Sequence, residues 1–379
     1  MKQMARILAS VAIIGFAGAC AGMGTGGGGA PDPSTGGAGS GTGSTSDQNV
    51  SASGVPWPIK TREHVDLWLH GFAMLQEDTT FVPFFRRGYS TNMTVLKNRA
   101  NVVSQLDANR DRLRARLSVN PQLINAQFIP LSFSSWDEIA QVVNFFVRAE
   151  GNPRAASSQQ EANAIAFLAA YFPSAADREW VRLFVTSLAD ERARFYQSYW
   201  AQQQREKRNV LDEVDVLWQG TYRPKIQRFL NNTQQAAGDV LLSLPLDGEG
   251  RSQSSGKQAN VLTVTFPDRP ADAMEAIYVI AHEAVATMAN VAVSDNITPE
   301  QRRSGLGDRY TSAAAVRGGA LLLQRTAPEA ADGYMRYYLR SVNRPAGSNV
   351  AASFTAAFSL PDTIREAINR QLDVVLGGI

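Results

Sequence analysis

A segment of small and polar residues near the amino terminus limits which part of this chain can fold. From Ala21 to about Gly54 the sequence consists almost entirely of Gly, Ser, Thr, Ala and Pro, and only Asp32 and Asp47 carry charge. Such a segment has too few large apolar side chains to bury a core, so it is predicted to be a flexible tether. The folded part is therefore expected to begin near Val55.

The residues before this tether have the pattern of an export signal. Lys2 and Arg6 precede an apolar run from Ile7 to Ala17, which is followed by small residues. This pattern predicts a signal peptide over residues 1–19, since the apolar run is too short to remain as a membrane span.

Cys20 directly follows the predicted signal peptide and is the only cysteine of the chain, so an exported form has no internal disulfide. The stretch Ala17-Gly18-Ala19-Cys20 resembles the lipobox of bacterial lipoproteins, with Ala17 where those proteins usually have Leu. The resemblance implies a diacylglycerol on the Cys20 thiol, and with it export and lipid anchoring to the bacterial cell envelope, in the periplasm or at the outer membrane. Ordinary secretion with cleavage after Ala19 is the alternative.

The charge balance excludes one class of partner. The chain has 37 basic and 35 acidic residues, and cleavage before Cys20 removes Lys2 and Arg6, which leaves the two signs equal. A neutral chain without a stripe of basic residues gives no electrostatic basis for binding nucleic acid. No later apolar run is interpreted as a membrane span, so the lipid is the expected attachment to the membrane.

Helical patterns dominate residues 55–204. Apolar residues recur at helical spacing from about Thr61 to Gln76, and capping patterns begin further helices at Ser135 and Ser158. A long helix rich in aromatic residues is predicted from about Ala175 to Gln204. This part is therefore expected to be a helical region with its own core.

Residues 205–379 differ because two strand patterns appear among helices. Asp239–Pro245 and Val261–Phe266 are apolar and partly β-branched, and the polar, Gly-rich stretch Asp247–Gly256 between them is predicted to be a loop, with a surface turn at Asp247–Gly250. The predicted fold class is α+β, mostly helical, with a small sheet packed on helices. The helices predicted in this region run from about Val210 to Asn231, Pro270 to Val293, Thr311 to Gln324, Asp332 to Val342 and Pro361 to Leu376.

One dipeptide in residues 205–379 has the residue types of a catalytic or metal site. His282 and Glu283 lie in the middle of the helix predicted after Val261–Phe266. The pair resembles the active-site helix of zincin metallopeptidases, in whose H-E-x-x-H motif two histidines one turn apart hold zinc and the Glu activates a bound water. The resemblance covers about residues 210–345. It implies a zincin-like domain of the gluzincin type, with His282 as the metal ligand and Glu283 as the catalytic base.

The motif is degenerate in this sequence. Ala286 stands at the position of the second histidine, and Arg317 stands in the following helix where a ligand carboxylate would be natural. Asp308, in a segment similar to that of the aspartate branch of zincins, is the remaining candidate ligand. A buried carboxylate without its metal needs a compensating charge, so Arg317 is predicted to form a structural ion pair with Glu283. No cofactor is then expected, and zinc only if the metal site is functional.

The other two histidines, His64 and His70, do not complete such a site. They are six residues apart on the first predicted helix, about 120° around its axis, and so do not form a pair. Both are expected to be solvated or locally hydrogen-bonded. His70 lies nearly opposite the apolar stripe, so either a second element covers it or it is exposed.

The leading hypothesis is a membrane-tethered extracytoplasmic lipoprotein. Its zincin-like domain is expected to be a pseudoenzyme that acts in binding or envelope structure, with an envelope protein or peptide as partner. One alternative is an active zinc-dependent peptidase that uses His282, Glu283 and Asp308 or another carboxylate. Another is a purely helical scaffold or binding lipoprotein, in which His282 is a core histidine hydrogen-bonded to a neighbour.

Overall fold

The computed structural model describes residues 56–76, 80–254 and 256–377. The predicted signal peptide over residues 1–19, the predicted lipidation at Cys20 and the predicted tether lie outside the described residues. Those three predictions therefore stay predictions.

Helices form nearly all of the described chain before residue 233. The serine caps predicted at Ser135 and Ser158 are confirmed, because each side chain accepts a hydrogen bond from the backbone N–H three residues later. Two 3-10 segments, Pro121–Ser132 and Pro153–Ala155, join these helices. The helices are α1 (Glu63–Leu75), α2 (Tyr89–Arg99), α3 (Gln105–Ala108), α4 (Arg110–Val119), α5 (Trp136–Arg148), α6 (Gln159–Tyr171), α7 (Ala175–Glu191), α8 (Gln197–Glu206), α9 (Arg208–Leu217) and α10 (Arg223–Asn232).

Two helical stretches that the sequence pattern predicts as continuous are interrupted by π-helical turns. Arg192–Tyr196 lies between α7 and α8, and Trp218–Tyr222 lies between α9 and α10. A π turn adds one residue to the helical repeat, which shifts the buried face of the helix that follows. Tyr196 is fully buried as a result of this arrangement.

A small mixed sheet separates the two regions. Its strands are β1 (Ile59–Lys60), β2 (Gly238–Ser243), β3 (Arg251–Ser254) and β4 (Asn260–Thr265), in the order β1-β2-β4-β3. The β1–β2 and β2–β4 pairs are parallel, and β3 pairs antiparallel to β4 at the edge. The predicted class, mostly helical α+β with a small sheet, is confirmed, and the alternative of a purely helical protein is wrong.

The stretch predicted as a loop contains a strand of this sheet, and the predicted surface turn at Asp247–Gly250 is partly buried, so both predictions are wrong. Gly248 and Gly250 are buried, and residues 251–254 form β3. The pairing follows from backbone hydrogen bonds to β4, which make no demand on side-chain hydrophobicity. The polar residues of this segment therefore gave no indication in the sequence that it forms a strand.

The carboxyl-terminal helices surround α11 (Met274–Asn296), which packs against α13, α16 and β4. By length and composition, the span Pro270–Asn296 could cross a membrane, contrary to the expectation of no second such run. Within its most apolar window 67% is buried inside the protein, which is typical of a core helix. The remaining helices are α12 (Pro299–Arg303), α13 (Leu306–Thr326), α14 (Pro328–Ser341), α15 (Val350–Ala357) and α16 (Asp362–Leu376).

The apolar core consists of two clusters with the sheet as their common wall. One cluster is formed mainly by α1 to α8 and the other by the sheet and α9 to α16. Alternate side chains of β2 serve both, since Leu241 packs in the first cluster while Val240 and Leu242 pack in the second. β1 belongs to the amino-terminal segment, but its residue Ile59 packs in the second cluster. The continuous apolar run in β2 reflects this burial on both faces.

Candidate functional site

His282 and Glu283 lie together in a closed site on α11. Their exposed fractions are 3% and 6%. The Nδ1 atom of His282 is 3.0 Å from Oε1 of Glu283, and the backbone N–H of Gly250 donates to the same oxygen at 2.9 Å. The predicted pair is thus held between α11 and the residue that precedes β3.

An aromatic ring closes the other side of this site. The ring of Tyr338 on α14 is stacked on His282, with 5.5 Å between the ring centroids and 23° between the planes. The Tyr338 hydroxyl donates to the carbonyl oxygen of Gly248 at 2.9 Å. His282 therefore packs as a core histidine bonded to a neighbour, and its Nε2 atom has no hydrogen-bond partner in the described part of the chain.

Glycine at position 250 permits the close approach of β3 and α11. A Cβ atom at Gly250 would lie 2.3 Å from the Thr263 carbonyl oxygen and 2.8 Å from Cγ of Glu283. The first contact is with backbone, which cannot move away without breaking the strand pairing. Only glycine brings its N–H this close to the Glu283 carboxylate.

The amino-terminal region packs directly on β3 beside this site. Gln253 donates from Nε2 to the Ser132 hydroxyl at 2.8 Å, and Nη2 of Arg251 donates to Oε1 of Gln127 at 3.2 Å. The guanidinium of Arg251 also lies over the ring of Phe84, 3.6 Å from its centroid. The 3-10 segment Pro121–Ser132 is therefore anchored on the strand next to Glu283.

The predicted ion pair between Glu283 and Arg317 is absent, and this prediction is wrong. Arg317 makes no ion pair in the described part of the chain, and its guanidinium lies 5.8 Å from the centroid of the Phe354 ring. Burial, with a smaller contribution from Arg365, lowers the pKa of Arg317. The Gly250 N–H and His282 both contact Oε1 of Glu283, where the prediction had placed a guanidinium.

The other predicted ligand position does not join His282 either. Asp308 is exposed in the first turn of α13, and Ala286 is half-buried on α11. Within the described ranges, no three His, Cys, Asp or Glu side chains form a group that could hold a metal ion.

A second polar cluster, which sequence reasoning missed, lies in the amino-terminal core around Glu191 at the end of α7. Glu191 and His70 are both 0% exposed, and Nε2 of His70 is 3.2 Å from Oε1 of Glu191. Lys97 donates to Oε2 of Glu191 at 2.6 Å, and the Ser104 hydroxyl donates to the same oxygen. Of the two alternatives for His70, coverage by a second element or exposure, the structure has the first, because α7 covers it. In the sequence, the polar face of α1 was the feature that could have indicated this cluster.

This cluster reaches towards the surface through Tyr89. The Nδ1 atom of His70 is 3.1 Å from the Tyr89 hydroxyl, so a chain of hydrogen bonds runs from Tyr89 through His70 to Glu191. Burial would raise the pKa of Glu191, but His70 and Lys97 outweigh it and hold that pKa at about 2. Burial raises the pKa of Tyr89 well above its usual value, so its hydroxyl stays protonated.

Two further ionisable groups of α1 are buried near this cluster. Burial lowers the pKa of His64 to about 4, and its Nε2 atom donates to the Phe133 carbonyl at 2.9 Å. Burial raises the pKa of Asp66 to about 7, although the Trp200 indole donates to its carboxylate at 2.9 Å. His64 was expected to be solvated or hydrogen-bonded, and the structure shows that it is buried and hydrogen-bonded.

A polar cavity of about 470 Å³ lies beyond Tyr89, between the two regions. α2 and α8 contribute Tyr89, Asn92, Tyr199 and Gln203 to its wall. The segments that follow β2 and β4 contribute charged residues such as Asp268. Because β2 and β4 are parallel, their carboxyl ends meet at this cavity, which is where ligands commonly bind in such sheets.

Comparison with protein-family models, with characterised proteins and with solved structures gave no match for this chain. Its function is therefore argued from the described residues.

Proposed function

We propose that this chain is an extracytoplasmic lipoprotein, tethered through Cys20, whose second region is a zincin-like domain without peptidase activity. The domain acts in binding or in the structure of the cell envelope. The observation that carries the proposal is the environment of the Glu283 carboxylate, which accepts the Gly250 N–H at 2.9 Å and lies 3.0 Å from Nδ1 of His282.

A general base has to reach the proton that it removes, directly or through one water. The carboxylate of Glu283 is 6% exposed, and its recorded partners are a backbone amide and a neighbouring imidazole. These bonds join α11 to the segment before β3. Glu283 is therefore assigned a structural role, as a bridge between the central helix and the edge of the sheet.

The zincin-like assignment is supported by the order and placement of elements. The helix that carries His282 follows β4 and packs against both β4 and β3. The antiparallel strand β3 lies at the edge of the sheet on that side. With Ala286 in place of the second histidine, the remaining donor set on this helix does not suffice for a three-ligand zinc site.

Replacing Glu283 with Gln is expected to lower the free energy of unfolding by about 1–2 kcal/mol, because a charge-assisted acceptor becomes a neutral one. No zinc-dependent cleavage of an unfolded protein substrate is expected from either the wild type or the variant. Denaturant unfolding and a peptidase assay with added zinc measure the two effects. Glu366→Gln, on the exposed side of α16, is the matched control and should leave stability unchanged within about 0.5 kcal/mol. Zinc-dependent turnover that disappears in a fully folded Glu283→Gln variant would overturn the proposal in favour of an active peptidase.

Replacing Cys20 with Ser is expected to move the chain from the membrane fraction to the soluble fraction, because the thiol is the proposed site of the lipid. Two acyl signals hold a protein stably at a membrane, and their loss removes that anchoring. Detergent-phase partitioning of both forms measures it. A Cys20→Ser protein that still enters the detergent phase would contradict the lipid tether and leave the account of Glu283 untouched.

A further inference from the structure

The cavity beyond Tyr89 has walls of both charges. Arg86, Arg87 and Lys207 line it together with Asp247, Asp268 and Glu275. Asp247 and Asp268 follow β2 and β4, whereas Arg86, Arg87 and Lys207 lie next to α2 and α8, so a ligand there meets both donors and acceptors.

Two of the three positive charges that line the cavity, Arg86 and Lys207, are already paired with a carboxylate. Nη1 of Arg86 donates to Asp268 at 2.7 Å, and Nζ of Lys207 donates to the same oxygen at 2.7 Å. Nε of Arg86 also donates to the Leu246 carbonyl at 3.2 Å. A phosphate or sulfate would have to compete with Asp268 for both cations, and a metal ion would meet their repulsion. Arg86 and Lys207 therefore disfavour a ligand with a net charge, while Arg87 donates to the Ser341 carbonyl at 2.6 Å.

The lining of the cavity also includes neutral polar groups that are still available. The side chain of Asn92 on α2 makes no hydrogen bond within the described ranges. Gln203 on α8 donates from Nε2 to Glu206, which leaves its amide oxygen as an acceptor. Burial raises the pKa of Tyr199 to about 12, so its hydroxyl keeps its proton and can both donate and accept.

The inner end of the cavity is rigid. Tyr89 is 6% exposed, and its hydroxyl is bonded to His70, which is bonded in turn to Glu191. Buried hydrogen-bond partners fix the orientation of a side chain before a ligand arrives, which lowers the cost of binding. The buried cluster around Glu191 therefore holds one wall of the cavity in place.

We propose that this cavity binds an uncharged sugar of one or two units. Each sugar hydroxyl is both a donor and an acceptor, which matches the amides of Asn92 and Gln203, the hydroxyl of Tyr199 and the paired charges of Arg86, Lys207 and Asp268. A volume of about 470 Å³ is within the range of small-molecule sites and accommodates such a ligand. The proposal goes beyond the role of His282 and Glu283, and it holds whether or not the domain is zincin-like.

The test is a binding titration of the full chain in mild detergent with three uncharged disaccharides: N,N′-diacetylchitobiose, cellobiose and maltose. Inorganic phosphate and glycine serve as charged comparisons. At least one disaccharide is expected to bind, measured by calorimetry, and Asn92→Ala is expected to weaken that binding about tenfold, the effect of one good hydrogen bond. Gln203→Ala is expected to act in the same direction.

Asn98→Ala is the matched control, because Asn98 is an exposed asparagine on the same helix and does not line the cavity. Its binding should equal that of the wild type, and thermal unfolding should be the same for all three variants. The proposal is overturned if none of the disaccharides binds, if only phosphate or glycine binds, or if Asn92→Ala and Asn98→Ala bind equally well.

Discussion

Replacing Lys97 with Met is expected to lower the free energy of unfolding by about 3–5 kcal/mol, because it removes one of the two groups, Lys97 and His70, that compensate the buried Glu191 carboxylate. The Lys97 side chain is 3% exposed and that of Glu191 is 0% exposed, with 2.6 Å between Nζ and Oε2. Lys97 also pairs with Asp107 at 2.6 Å. Denaturant unfolding at pH 7 measures the loss.

The matched control is Arg112→Met. Arg112 pairs with Glu179 at 3.1 Å, but the side chains are 64% and 42% exposed, so water screens the interaction. Its removal should change stability by about 0.5 kcal/mol or less. Adding Glu191→Gln to Lys97→Met should recover part of the loss, since it removes the unpaired charge. Equal costs for Lys97→Met and Arg112→Met would show that the buried cluster contributes little to stability.

The dependence of stability on pH is expected to be shallow in the wild type and steep in either of two variants. Burial raises the pKa of Asp66 from its ordinary value of 3.8 to about 7, so Asp66 keeps a proton in the folded state up to about pH 7. Its contribution to stability is therefore present below about pH 4 and is lost as pH rises through 7. Burial lowers the pKa of His64 from its ordinary value of 6.5 to about 4, so His64 stays neutral in the folded state down to about pH 4. Its contribution is present above about pH 6.5 and is lost as pH falls to 4, so the two effects oppose each other.

Each variant removes one of the two opposing ionisable groups, so the effect of the other on stability is no longer cancelled. Asp66→Asn keeps an acceptor for the Trp200 indole and should make stability rise with pH between about 4.5 and 6.5. His64→Gln keeps a donor for the Phe133 carbonyl and should make stability fall as pH rises from about 4.5 to 7. Each unopposed effect amounts to about 3–4 kcal/mol over its full range, from 1.36 kcal/mol per unit of pKa. Below pH 4.5 the protonation of Glu191 adds a further loss, so the unfolding measurements are made above that value. Variants with the same slope as the wild type would show that these groups ionise alike in the folded and unfolded chain.

The local features of the sequence predicted most of the elements near the candidate site. Serine caps placed the starts of α5 and α6, and the runs of apolar and β-branched residues placed β2 and β4 to within two residues at each end. The same reasoning put His282 and Glu283 in the middle of α11. These features depend on residues a few positions apart, so the chain alone contains the information.

The polar strand β3 and the burial of His70 were not predictable in the same way. β3 has no alternating pattern, and its stability comes from backbone pairing with β4. His70 lies on the polar side of α1, where exposure and burial were equally open. Its partner Glu191 is 121 residues away in the chain, and only the packing of α7 on α1 brings the two together.

The sequence by itself determined the helical character, the central strands and the position of the His282–Glu283 pair, because helical period, capping and β-branched runs act over one or two turns. Only the tertiary structure decided what that pair does. Glu283 takes its hydrogen bond from Gly250, 33 residues earlier, where the absence of a side chain lets the strand approach the helix. Arg317 stands where a compensating charge was expected, yet the carboxylate was already satisfied by a backbone amide. Every residue except proline carries a backbone N–H, so the sequence alone does not show which of them will bond to a distant carboxylate.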